Sequence, residues 1–106
     1  MYTLESECLL RSETSGKLGF FCPGCKMLHL INVDTVEVPG RPRWDWNADY
    51  INFTFRPSVL VTMGRNPDRI CHSWVTDGYI NFLGDSTHEL AGQVVKLPPI
   101  PADELD

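Results

Sequence analysis

The stretch ICHSWVTDGYINFL, residues 70–83, decides the fold. Two runs rich in β-branched and aromatic residues, Ile70–Thr76 and Tyr79–Leu83, flank Asp77-Gly78. Asp-Gly is favoured in two-residue hairpin loops because a type I′ turn needs positive φ at both central positions. Such a loop pairs Thr76 with Tyr79, Val75 with Ile80 and Ser73 with Phe82. Alternation then sends Cys71, Val75, Ile80 and Phe82 to one face, and His72, Trp74, Tyr79 and Leu83 to the other. Cys71 and His72 therefore lie on opposite sides of a regular strand. They can bind one ion together only if the strand begins irregularly, and Pro67 and Asp68 just upstream supply the means.

Outward from this hairpin, the chain continues to read as β. KLGFFC (17–22), MLHLINV (27–33), YINFTF (50–55), VLVTM (59–63) and QVVKL (93–97) are short apolar runs bounded by Gly, Pro, Asn or Asp. DSTHELAG (85–92) has a capping-box spacing between Ser86 and Glu89, with Gly92 stopping the turn early. VPGRPRWDWNAD (38–49) reads as a loop. The expected fold is mostly β: a small antiparallel sheet domain over residues 1–106, with a zinc-knuckle turn and one short helical turn. Residues 98–106 form an extended, Pro-rich acidic tail, poorly ordered at its tip.

The 106 residues suffice for one domain with a small core, to which a bound metal would add a large share of stability. No apolar run approaches the roughly 20 residues of a membrane span. The first ten residues lack a basic segment followed by an apolar one, so no secretory signal is expected and the compartment is read as cytoplasmic. A net charge of −5 disfavours nucleic acid as a partner. In a reducing compartment, four cysteines point to metal or free thiols before disulfides.

The clearest chemical signal is Cys22-Pro23-Gly24-Cys25. A C-x2-C turn brings two thiolates to one ion, with Gly24 permitting the turn geometry. A redox dithiol is the main rival, but that motif opens a helix, and the run after Cys25 alternates like a strand. Two cysteines make half of a tetrahedral zinc site. Cys71 and His72 are the leading second half. If the strand at residue 70 is regular, one of them binds and His88 is the alternative fourth ligand. His29 lies near the site without ligating, and Cys8 is a small core residue.

Together FFCPGCKMLH, FTFRPSVLVT, CHSWVTDGYINFLGDSTHELAGQVV and LPP resemble a family of small phage and prophage proteins, often labelled "ammonia monooxygenase". The family pattern holds a CPxC turn, a Pro-Thr-Phe-x-Pro-Ser segment, a Cys-His pair, an Asp-Gly turn and a Thr-His-x-Leu-Ala-Gly stretch. Here the second element is Asn52-Phe53-Thr54-Phe55-Arg56-Pro57-Ser58, with no proline before Thr54. The matching polar set is Cys22, Cys25, Cys71, His72 and His88. The resemblance implies a phage accessory protein in the host cytoplasm with a zinc site. The oxygenase label does not fit, because a membrane copper oxygenase needs transmembrane spans.

Two functions of different class follow. The first is a zinc-stabilised protein-binding module on a host or phage macromolecule, such as a host defence component. Trp44 and Trp46 with Arg41 and Arg43 form its partner-binding loop, or a homodimer contact, unless both indoles fold back as a lid over the small core. The second is a small metal-dependent hydrolase with an open zinc position, with His29, His72, His88 and Asp85 as available donors. Four protein ligands would argue for a structural ion, and three plus water for catalysis.

Overall fold

The computed structural model describes residues 2–33, 40, 42–62 and 69–105. Among them are nine strands: β1 (Tyr2–Ser6), β2 (Leu9–Ser12), β3 (Leu18–Cys22), β4 (Met27–Ile31), β5 (Asp45–Trp46), β6 (Phe55–Thr62), β7 (Ile70–Thr76), β8 (Tyr79–Phe82) and β9 (Val94–Lys96). They form two antiparallel meanders, β1-β2-β3-β4 and β5-β6-β7-β8-β9. The fold is mostly β, as the alternating runs imply.

The β7–β8 hairpin has the register set by its turn: Thr76 faces Tyr79, Val75 faces Ile80 and Ser73 faces Phe82. Asp77 and Gly78 both take positive φ, at 52° and 78°. Strict alternation buries Cys71, Ser73 and Val75 along β7 and leaves His72 and Trp74 partly open on the other face. Val59, Phe55, Ile80 and Phe82 join that inner face, and Leu9, Leu18, Phe20, Cys22 and Ile31 meet them from the first sheet. Phe20 and Phe55 stack across the gap with ring centroids 6.4 Å apart. The two sheets thus share one apolar core, the main stabilising term for a chain of this size.

Three expectations shift in place. The run 50–54 is not strand, because the Asp49 carboxylate accepts the amides of Ile51 and Asn52 and bends the chain. The strand beyond it starts at Phe55. Residues 85–92 form bends and turns without a helix. Ser86, the would-be cap, spends its hydroxyl on the backbone of His72 instead. The short helical element is a 3-10 turn at Ala102–Leu105. Before it, Ile100 is buried and its amide donates to the Glu7 carbonyl. Pro67 and Asp68 lie outside the described residues.

Candidate active site and metal centre

Four donors converge where the sheets meet. Cys22 ends β3, Cys25 lies in the turn to β4, Cys71 points inward from β7, and His88 comes from the turns after β8. Their ligand atoms all lie within 4.8 Å of one another. This cluster could hold a metal ion. The strand at residue 70 is regular, so Cys71 enters the cluster and His72, the leading fourth donor, faces away. His88 takes the fourth place.

Several observations fit a cation here. The Cys22 and Cys71 sulfurs are 3.8 Å apart. Two thiolates on a tetrahedral ion at about 2.3 Å would stand roughly 3.8 Å apart. The Nε2 of His88 is buried without a hydrogen-bond partner. The thiols also compete for one negative charge. The hydrogen bond from Cys71 holds the Cys22 thiol down to about 4, against the opposing effect of burial. Burial pushes Cys25 up to about 11. Cys71 is raised as well, first by its bond to Cys22 and then by burial. Three thiolates become compatible only when a cation supplies the balancing charge.

Gly24 has a different role from the one its turn suggests. The residue of the knuckle with positive φ is Lys26, at 58°. A Cβ on Gly24 would run into the His88 ring, so glycine here makes room for the fourth donor. His29 is buried beside Cys22, helps hold that thiol low, and stays out of the cluster. Cys8 is partly buried, with its thiol 3.5 Å from the Leu97 carbonyl.

On the outer face of the second sheet lies a second constellation. Ser58 Oγ is 2.9 Å from His72 Nε2. His72 Nδ1 is 3.0 Å from Asp85 Oδ2 and 3.3 Å from Oδ1. The strand pairing explains the approach. Leu60 is the direct partner of His72, and Ser58 lies two residues along on the same face. Between Phe55 and Val59, four steps of β6 face two of β7, from Val75 to Ser73, and this irregularity carries Ser58. The Trp44 indole donates to the Ser58 carbonyl at 3.2 Å. Asp85 follows β8 and returns to the imidazole. Serine on one ring nitrogen and carboxylate on the other is the nucleophile–base–orienter order of acyl transfer.

A family model described as "Bacterial ubiquitination-like system serine protease (BubE)" matches residues 2–83. The chain belongs to the BubE family. The matched span contains Ser58, His72 and the three clustered cysteines; Asp85 and His88 lie just beyond its end. No curated protein and no solved structure shows a significant match.

Trp44 and Trp46 are half-buried and pack against the core. Trp46 also meets Tyr50 at 5.5 Å and lies under the Arg11 guanidinium. Arg43 pairs with Asp45 at 3.1 Å, and Arg41 lies outside the described residues. No helix among the described residues is long and apolar enough to cross a membrane.

The Ser58–His72–Asp85 relay is absent from the sequence reading. Ser58 occurs there only within a motif, and His72 and Asp85 only as metal donors. The available signal was the pairing itself: with residues 59–62 beside 70–73, Ser58 and His72 fall on the face opposite Cys71.

Proposed function

We propose that this chain is a serine hydrolase cleaving the bond that joins the C-terminus of a ubiquitin-like protein to its target. The hydrogen-bonded order Ser58 Oγ, His72 Nε2, His72 Nδ1, Asp85 carries the proposal. The family description, a serine protease of a ubiquitination-like system, supports the substrate class. Ser58 Oγ attacks the scissile carbonyl carbon, and His72 Nε2 takes the hydroxyl proton. Asp85 fixes the ring through Nδ1–H and stabilises the imidazolium that forms. Collapse of the tetrahedral adduct expels the leaving group, which takes the proton from His72. Water, deprotonated by the same nitrogen, then releases the acyl group from Ser58.

In this proposal the metal is zinc, held by Cys22, Cys25, Cys71 and His88. A Cys3His set leaves no protein-free position, which suits a structural ion and argues against a metal-bound nucleophile. Zinc would supply the charge that keeps three thiolates together and tie the two sheets. The partner of the earlier binding-module reading, a host or phage protein, becomes here the conjugated substrate. Trp44 and Trp46, with Arg41 and Arg43, are assigned to its recognition. The Trp44 indole donates to the Ser58 carbonyl, and Trp44 also lines a cleft of about 410 Å³ with Arg11, Val33, Arg43, Asp45, Trp46 and Ala48.

The test is cleavage of a ubiquitin-like protein whose C-terminus is joined to a lysine peptide, read by intact mass. Wild type should release the free ubiquitin-like protein. Ser58→Ala should be slower by at least about 10⁴-fold with an unchanged melting point. A Ser58→Ala variant that keeps wild-type turnover would overturn the proposal.

A further inference from the structure

We propose that the metal centre positions the catalytic relay, with Ser86 as the positioning residue that joins the two. The inference rests on the serine-hydrolase reading above and adds a dependence of that site on the ion and on Ser86.

The connection is short and passes through both segments that build the relay. Cys71 and His72 are consecutive on β7, one facing the cluster and the other facing Ser58. Asp85 and His88 are three residues apart in the chain after β8, again one to each site. Between them Ser86 is buried, and its hydroxyl closes a loop on the His72 peptide. It accepts the His72 N–H at 3.0 Å and donates to the His72 carbonyl at 3.1 Å. Thr87 makes a similar clasp one step on, with its amide donating to the Ile70 carbonyl at 2.8 Å and its Oγ1 accepting the Ile70 amide at 2.9 Å. The chain 85–87 thus takes over as a strand-like neighbour of 70–72 where β8 ends.

An ion bound through Cys71 and His88 holds these same two segments from the inner face. Ser86 and Thr87 hold them from within the sheet. Asp85 has few other restraints, since its side chain is 54% exposed. Release of His88 frees the turn, and the carboxylate then no longer fixes the His72 tautomer needed to receive the Ser58 proton. The ion takes no part in bond making; it sets the distance between base and orienter.

The test uses protein with ¹⁵N-labelled histidine and reads the His72 Nδ1 proton by NMR. A carboxylate-bound Nδ1–H gives a strongly downfield resonance, and Asp85→Asn assigns it by its loss. The zinc-loaded protein should show the signal. Ser86→Ala should weaken or abolish it while keeping one zinc per chain, and should lower kcat about 10–100-fold at nearly constant KM. Ser86→Thr, which keeps the hydroxyl, should restore it. Verified zinc removal should abolish it. If chelation unfolds the domain, His88→Gln, which releases the turn from the ion while the three cysteines remain, decides the metal's part: an unchanged signal in that folded variant would overturn it. A signal and kcat unchanged in a folded Ser86→Ala variant would overturn the coupling. The NMR signal requires no turnover, so a loss of the hydrolase reading through Ser58→Ala remains a separate outcome.

Discussion

Gly24→Ala should dislodge a metal ligand by adding one methyl group. A Cβ built at Gly24 falls 2.6 Å from His88 Nδ1 and closer still to Cε1 and Nε2. Ordinary contact of about 3.5 Å asks the ring to retreat by roughly 1 Å. The knuckle backbone cannot easily yield instead, because Cys25 N–H donates to the Cys22 sulfur and Lys26 N–H to the Cys22 carbonyl. Zinc–nitrogen bonds near 2.0 Å tolerate deviations of only about 0.2 Å, so the His88 bond should break or move. Changes beside a ligand typically cost about 10–100-fold in affinity, and displacement of the ligand belongs at the upper end. At saturating zinc a 100-fold loss removes about 2.7 kcal/mol of linked stability, on the order of 10–20 °C in melting temperature for a domain this size. Competition with a chromophoric chelator gives the affinity, and thermal melts in zinc-buffered solution give the shift. Gly84→Ala is the control, since nothing lies within 4 Å of its Cβ, and it should leave zinc affinity unchanged. A Gly24→Ala affinity within twofold of wild type would refute the steric argument.

Gly78→Val should lower the melting temperature, because φ is +78° and the new Cβ would meet the Ile51 carbonyl at 2.9 Å. A left-handed non-glycine residue costs on the order of 1–3 kcal/mol, so an unchanged urea midpoint would contradict the turn. Trp44→Phe removes the indole bond to the Ser58 carbonyl. It should cost about 0.5–1.5 kcal/mol in stability and lower kcat/KM, as steady-state kinetics would show.

The hairpin at residues 70–83 was legible because its turn residues and its period-two pattern agree. From the same pattern followed the separation of Cys71 from His72 and the alternative of His88. β5 was hidden because only Asp45 and Trp46 pair, inside a loop rich in Pro and Arg. β1 and β2 were hidden because both are short and neither alternates: β1 buries no residue fully and exposes Leu4, and β2 buries the adjacent Leu9 and Leu10. The relay was the least legible feature. Its members come from three segments, 14 and 13 residues apart, and meet only through strand register. No local motif such as G-x-S-x-G announces the nucleophile. The two histidines also mislead when read as donors alone: each carries a ring suited to metal, and the side of the sheet decides its use.

The proposed hydrolysis requires Ser58 to be an activated nucleophile. A fluorophosphonate probe forms a bond from phosphorus to an activated serine oxygen, with fluoride leaving, and needs no knowledge of the natural substrate. Incubation of zinc-loaded protein with the probe, followed by intact mass and peptide mapping, reports which of the six serines reacts. The expected result is one adduct per chain on Ser58, lost in His72→Ala and slowed in Asp85→Asn. Labelling of another serine, or labelling of Ser58 at the same rate without His72, would contradict the account.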